Sequence, residues 1–338
     1  MKKEIGFGLI GSGGWGDVHA RTLSQSANSK LVAICDLNLE QAKQSAAKYN
    51  ISSVYNNVNE MLGDKDIDAV SIATPDFTHT ELIIAALEAG KHVMVEKPMA
   101  TTVEDCNRII SLRDKMGIKL MVNYSNRWKT PFIHVKKLIS SGELGNLQLV
   151  NIKLNDTIFV PTKMLSWASQ SNSLHFLGTH LVDLLRWVSG AEVNRVYSVS
   201  RSNLLKGMGI DTPDYFQSLL ELNNGGTVYM ENCWIIAESA PSVYEFKAEF
   251  IGSKTTVKVD ISHHRMIEKY SPEGTAMLDV GEQYDLDGNP QGQVSIQHFI
   301  DCLINDKNPL VTAEDGLEAT KVIVALEKSA QTKQPINL

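Results

Sequence analysis

Cysteine is scarce: Cys35, Cys106, Cys233 and Cys302 stand far apart, with no CxxC pair and no metal-type spacing. A disulfide framework and a zinc cage therefore have no support, metal is not expected, and a reducing cytoplasm is the expected compartment. No long apolar run is present, so no membrane partner is expected. Excess basic charge is lacking too: 32 Lys and Arg face 39 Asp and Glu, a net charge of −7. Binding nucleic acid needs a basic face to neutralise phosphates, and here the Lys and Arg are scattered, so nucleic acid is not an expected partner. Internal repeats, low-complexity tracts and Pro/Ser-rich linkers are absent as well. Lys2 and Lys3 before an apolar stretch imitate a leader peptide. That stretch spans only Ile5 to Ile10, glycines interrupt it, and Asp17 and Arg21 follow without a small-residue cleavage site, so it reads as a first strand.

What is present is an ordinary globular composition, 43% hydrophobic and 21% charged, over 338 residues. That length suits two domains, each with its own core. The first third alternates short β-branched runs with amphipathic stretches, the pattern of βαβ units on a doubly wound parallel sheet. Strands are predicted at residues 5–10, 31–35, 69–73, 93–96 and 120–123. A helix is predicted over 78–89, where Leu82, Ile83, Ala86 and Leu87 form one stripe and Gly90 ends it. Beyond Tyr124 longer alternating strands follow one another, at 148–155, 193–200, 215–222, 227–234, 243–251 and 255–260, which predicts an open, mostly antiparallel sheet in an α+β domain. Asn223–Gly226 and Gly252–Lys254 sit where hairpin turns need positive φ. Helices are predicted at 174–188, 294–303 and 313–329. The domains are placed at 1–125, for a nucleotide, and 126–338, for substrate and oligomerisation.

Three constellations carry chemistry. Gly11-Ser12-Gly13-Gly14-Trp15-Gly16 is a GxGxxG between a strand and a helix: the first glycine permits the turn, the second lets backbone approach a pyrophosphate, and the third lets the helix pack on the strand. Asp36, twenty residues beyond Gly16, ends the second strand, where a carboxylate can take the ribose hydroxyls and repel a 2′-phosphate. NAD is expected over NADP, against the plainer reading of a solvated turn aspartate. Glu96-Lys97-Pro98 ends another strand at the ligand edge of the sheet, with Thr74, Pro75 and His79 at the same edge. Taken alone, Lys97 also fits an exposed turn, and His79 a helix surface. On the helix of the second domain lie His175, His180 and Asp183; His180 and Asp183, three apart, share a face. A five-residue step sets His175 and His180 about 140° apart, which argues against a shared metal. A core histidine is the plainer reading of His180.

These residues make the chain resemble the family of glucose-fructose oxidoreductase, inositol dehydrogenase and rhizopine-catabolism proteins, Gfo/Idh/MocA. The resemblance runs over nearly the whole length, through GLIGSGGWG at 8–16, ATPDFTH at 73–79, AGKHVMVEKPMA at 89–100, GTHLVDLLRW at 178–187 and FIDCLINDKNPLVTAEDGLEAT near the end. It implies an N-terminal Rossmann domain and a C-terminal α/β domain whose sheet face builds a homodimer or homotetramer. It assigns Gly11, Ser12, Gly13, Gly14 and Trp15 to the cofactor's pyrophosphate, Asp36 to the adenosine ribose, and Thr74, Pro75 and His79 to the nicotinamide side. Glu96 and Lys97 fall beside the nicotinamide ribose and substrate, Lys97 as catalytic lysine, and His180 as the active-site histidine. One departure stands out: many sugar and inositol dehydrogenases of the family carry Asp four residues before that histidine, and here the position holds Phe176. His175, Asp183 or Asp156 would take over its role, or the substrate pocket is more apolar. Asn172 and Ser173 replace a pair of glycines, so the adjacent loop is expected to be reshaped. Arg127 and Trp167 are further substrate-site candidates, with Asn126 and Trp128.

The function expected is hydride transfer between NAD and a secondary alcohol of a sugar, cyclitol or glycoside. An imidazole with pKa near 6.5 suits removal of the hydroxyl proton, giving His180 the role of base. Lys97 would stabilise the developing alkoxide, or itself take the proton if desolvated. Two alternatives are an NAD-dependent glycosidase or lyase working by transient oxidation, and a non-catalytic NAD-sensing protein.

Overall fold

A computed structural model of the chain describes residues 4–262, 267–271, 274–278 and 294–338. Lys2 and Lys3 lie outside the described residues. Two compact units are drawn from Met1–Trp128 with Gly292–Lys321, and from Lys129–Gln291 with Val322–Leu338.

In the first unit the chain runs β1 (Ile5–Ile10), α1 (Gly14–Gln25), β2 (Ser29–Cys35), α2 (Leu39–Tyr49), β3 (Ser53–Tyr55), α3 (Val58–Leu62), β4 (Ala69–Ile72), α4 (His79–Glu88), β5 (His92–Val95), α5 (Val103–Met116) and β6 (Leu120–Val122). All six strands pair in parallel in the order β3-β2-β1-β4-β5-β6. The order reverses between β1 and β4, the switch point where open α/β sheets hold ligands at their carboxyl edge. Local signals set the helices: Asn38 and Thr102 cap α2 and α5 by accepting from Gln41 N and Asp105 N, and Asn50 and Gly117 end them in the left-handed region. The five predicted strands are present within two residues at each end. β3, three residues long, is too short to show a period.

A single cut at residue 125 misses a return of the chain. Helix α9, Val294–Ile304 in full chain order, and the first part of α10, Ala313–Thr332, belong with the first unit. Ile296, Phe299 and Ile300 are fully buried, and the Phe299 ring meets Phe7 of β1 edge-on at 6.4 Å. The burial of β1 on both faces demands an apolar cover, and no local pattern says which distant segment supplies it.

The second unit contains α6 (Thr130–Ser140), β7 (Leu147–Asp156), α7 (Thr179–Ser189), β8 (Val193–Arg201), α8 (Leu204–Gly207), β9 (Tyr215–Leu222), β10 (Thr227–Cys233), β11 (Tyr244–Gly252), β12 (Thr256–Asp260), the hairpin β13 (Ile267–Ser271) and β14 (Gly274–Leu278), and β15 (Ile336–Asn337). Seven strands form one sheet, β12-β11-β7-β10-β9-β8-β15, antiparallel at every pair except β7 with β10. One face is core, with Val150, Phe216, Leu220, Val228 and Phe250 buried, while Tyr197, Val199 and Leu219 of the other are exposed. Gly225 takes φ +87° at the β9–β10 turn, as predicted. Gly252 does not adopt positive φ; it is required because a Cβ there would lie 2.0 Å from the Leu144 carbonyl oxygen.

Candidate active site

Gly11 leaves β1 at φ +92°, and a Cβ on it would lie 2.5 Å from the Ala73 carbonyl oxygen. Gly16 is equally constrained, since its Cβ would stand 2.1 Å from the carbonyl oxygen of Gly11. These two glycines press α1 against the β1–β4 switch. Gly13 and Gly14 have nothing within 4 Å of a Cβ, and no side chain caps α1. The N-terminus of this 12-residue helix thus carries uncapped N–H groups beside two glycines with room around them, an arrangement that suits a pyrophosphate. Trp15 is 47% exposed in the first turn.

Asp36 follows β2 and reaches across to this loop. Its Oδ2 accepts from the Ser12 backbone N–H at 2.8 Å and from the Ser12 hydroxyl at 2.9 Å, while Oδ1 accepts from Asn38 N at 2.9 Å. Gln41 donates to the Ser12 carbonyl at 3.0 Å, so the loop is held from two sides. The residues fit a dinucleotide whose ribose meets Asp36 and whose pyrophosphate meets Gly13 and Gly14.

At the ends of β4 and β5 the structure overturns one reading, that of His79 as a helix-surface residue, and shows how Glu96 is held. His79 is not on the helix surface: it is fully buried, with Nδ1 2.7 Å from the Pro98 carbonyl oxygen and Nε2 3.0 Å from that of Thr74. It joins the Thr74–Thr78 turn, closed by a 2.7 Å contact between the two hydroxyls, to the turn after Lys97, whose bond to Pro98 is cis. Pro75 opens the short 3-10 turn Asp76–Thr78. Glu96 turns inward. Its Oε1 lies 2.8 Å from His19 Nε2 and accepts from Asn123 Nδ2 at 2.6 Å, and His19 Nδ1 lies 2.6 Å from the Ser71 hydroxyl. Burial pushes the Glu96 carboxyl up, but the His19 ring, the Lys97 charge and the Asn123 amide outweigh it and hold the group below its ordinary value. Lys97 follows directly, itself only 8% exposed.

His19, Ser71 and Asn123 were not among the candidates. The available signal was position: His19 sits three residues past Gly16, on the face of α1 turned toward the sheet. Arg127, a substrate-site candidate in the sequence, is held by partners within the first unit. It is 4% exposed, donates to the Leu310 carbonyl at 3.2 Å and pairs with Asp315 at 2.9 Å, fixing the returning segment within the first unit.

In the second unit a π-helical turn, Leu174–Gly178, leads into α7, so the predicted 174–188 helix is two pieces. His180 is half-buried in the first turn of α7, and Asp183 is buried one turn on. Phe176 stands in an aromatic row, its ring 6.0 Å from Trp167 and 5.8 Å from the fully buried Trp234, both edge-on. His175 is drawn elsewhere: Nε2 is 3.1 Å from Glu327 Oε2 of α10, and the Asn172 amide donates to the same carboxylate. Burial raises the Glu327 carboxyl, yet His175 and Asn172 together hold it below its ordinary value. Asn172 Oδ1 also accepts from the Leu174 and His175 N–H groups, so its replacement of glycine shapes the turn. Asp156, buried, ends β7 opposite Tyr244.

Residues 5–124 match the NAD-binding Rossmann domain, and residues 136–338 the C-terminal α/β domain, of the GFO_IDH_MocA oxidoreductase family. The chain is 26% identical to scyllo-inositol 2-dehydrogenase (NAD(+)) of Bacillus subtilis over 342 residues, which covers 100% of this chain and 97% of that one. It is 30% identical to an inositol 2-dehydrogenase of Acidothermus cellulolyticus over 258 residues, 75% of this chain and 72% of that protein. Its fold superposes on the crystal structure of scyllo-inositol dehydrogenase from Lactobacillus casei with NAD(H) and scyllo-inositol, with a TM-score of 0.84, 21% identity and 99% of each chain covered. Among the described residues no helix is long and apolar enough to cross a membrane.

Proposed function

The chain belongs to the NAD-binding Gfo/Idh/MocA oxidoreductase family, and from that premise we propose that it oxidises a secondary alcohol of a sugar, cyclitol or glycoside. The observation that carries the reading is Lys97: a buried lysine beside an ionised Glu96, at the carboxyl edge of the same parallel sheet that bears the glycine loop and Asp36. NAD, when bound, supplies the hydride acceptor. His180 takes the hydroxyl proton as hydride departs, and Lys97 hydrogen-bonds the reacting oxygen and stabilises its developing charge. Relatives named inositol dehydrogenases support a cyclitol or a sugar as substrate.

Phe176 makes the substrate differ in detail from a polyol met by a carboxylate. With Trp167 it offers ring faces and edges that suit sugar C–H groups rather than hydroxyls. His175 is committed to Glu327, which leaves Asp183 and Asp156 as the acidic groups proposed to complement His180. The sheet face of the second unit on which Tyr197, Val199 and Leu219 are exposed is proposed to build a homodimer or homotetramer.

The test is absorbance at 340 nm across a panel of cyclitols, sugars and glycosides with NAD⁺. Lys97→Ala is expected to cut turnover by about 100-fold or more while NAD affinity stays within about threefold of the parent. Undiminished turnover in that variant would remove Lys97 from the mechanism. Product formed without accumulating NADH would point instead to elimination through transient oxidation. Cofactor binding with no turnover on any member of the panel would point to an NAD sensor.

A further inference from the structure

Four buried side chains connect the helix of the glycine loop to the strand end carrying Lys97. Ser71 of β4 and His19 of α1 are 0% exposed, Asn123 after β6 is 1% exposed, and Glu96 after β5 is 7% exposed. The contacts run Ser71 Oγ to His19 Nδ1 at 2.6 Å, His19 Nε2 to Glu96 Oε1 at 2.8 Å, and Asn123 Nδ2 to the same Oε1 at 2.6 Å.

Counting protons gives this chain a direction. Asn123 Nδ2 can only donate, so Glu96 Oε1 accepts from it. A neutral imidazole has one N–H and one bare nitrogen. With Nε2–H donating to Glu96, every contact in the chain has one proton and one acceptor, the Ser71 hydroxyl donating to a bare Nδ1 of the neutral ring or accepting from Nδ1–H of the imidazolium. The opposite tautomer would set a bare Nε2 against a carboxylate oxygen, two acceptors 2.8 Å apart. The sequence Ser–His–acid has the order of a hydrolytic triad, but Ser71 lies inside the sheet where no substrate reaches it. Its use must be internal. What it holds is a carboxylate whose charged form burial disfavours and its partners favour, so that it stays below its ordinary value, on the residue before Lys97 in the chain.

We propose that His19 and Glu96 are positioning residues for Lys97: the buried Ser71–His19–Glu96–Asn123 chain fixes a negative charge on the residue before the lysine, at the same buried strand end, and so keeps its amine an ammonium. Granted the catalytic role of Lys97 proposed above, this decides between the two tasks open to it. Lys97 is then the donor that stabilises the reacting oxygen, and proton removal falls to His180. The same chain ties α1, whose N-terminus receives the pyrophosphate, to the Lys97 strand end through one side-chain contact.

The test reads the amine directly and needs no substrate. Trace acetylation at a single pH near 8.5, with mass-spectrometric quantification, reports the neutral-amine fraction of each lysine; Lys43 and Lys30 serve as controls in the same sample. Glu96→Gln keeps an acceptor for His19 and Asn123 but removes the charge. It is expected to raise Lys97 labelling relative to the controls by about three- to tenfold, tenfold corresponding to one pKa unit. His19→Leu removes the donor that keeps Glu96 ionised and is expected to raise labelling in the same direction, whereas His19→Gln, which retains an N–H donor, restores the parent level. Labelling of Lys97 within twofold of the parent in Glu96→Gln overturns the proposal. So does a rise in His19→Leu that His19→Gln fails to reverse. Should His19→Leu not fold, Glu96→Gln carries the decision alone. The Lys97→Ala turnover measurement tests the catalytic reading separately, so either can fail while the other stands.

Discussion

Asp36 illustrates how one side chain can serve the fold and a ligand together. A carboxylate offers about four acceptor sites, and three are taken by the Ser12 N–H, the Ser12 hydroxyl and the Asn38 N–H. The hydroxyl is the contact that can rotate away, which frees the carboxylate for a ribose while the backbone contact keeps the loop closed. Asp36→Ser should therefore weaken NAD binding by about tenfold or more, the range for hydrogen bonds to a charged group, and narrow the preference over NADP. Fluorescence titration with both cofactors checks this; an unchanged ratio would exclude Asp36 as the selector. His79 and Arg127 teach the complementary lesson. Their positions at the ligand edge were legible, yet both are buried and bonded to carbonyl oxygens, His79 to two and Arg127 to one as well as to Asp315. Spacing along a chain tells which residues approach an edge, but not whether a buried polar group has already found its partners.

Among the elements, the glycine loop with α1 was the most legible, because its constraint is steric and local. The two kinds of glycine in it make different predictions. Gly16→Ala forces a Cβ to 2.1 Å from the Gly11 carbonyl oxygen and should cost about 1–3 kcal/mol by overpacking, seen as a lower melting temperature with or without cofactor. Gly13 has φ −71° and no neighbour within 4 Å of a Cβ, so Gly13→Ala should melt like the parent. Its NAD affinity should nevertheless fall severalfold, because the methyl group occupies the space the pyrophosphate needs. Parent-like affinity in Gly13→Ala would contradict that placement of the cofactor. Elements that escaped sequence reading were short or weakly patterned. β3 has three residues, while α6 was legible through Pro131 in its first turn and the stripe of Phe132, Val135 and Ile139 but was not assigned. The π-helical turn before α7 was read as plain α-helix because a one-residue widening leaves the apolar stripe nearly intact.

Considered as a molecule, the chain carries a seven-stranded sheet with one core face and one face on which Leu219 is 56% exposed beside Tyr197 and Val199. Leu219 pairs directly with Tyr197 on β8 and Tyr229 on β10, so these side chains form a row across three strands. An apolar row flanked by charged pairs such as Lys153–Glu245 suits burial against a second copy. If this face builds the proposed homodimer or homotetramer, Leu219→Lys is expected to elute as a monomer where the parent elutes as an oligomer, in size-exclusion chromatography with light scattering, with the fold retained by circular dichroism. An unaltered oligomer would place the interface elsewhere.

Class, cofactor and the residues at the sheet edge follow from the sequence because they depend on short-range geometry: strand period, turn sterics, and the twenty-residue step from Gly16 to Asp36. Three other features exist only after folding. These are the return of residues 294–321 to cover the first sheet, the inward turn of Glu96 onto His19 and Asn123, and the commitment of His175 to Glu327, 152 residues away. Each satisfies a buried group with a partner remote along the chain. A buried charge or an apolar face demands such a partner, while nothing local says which distant residue will supply it.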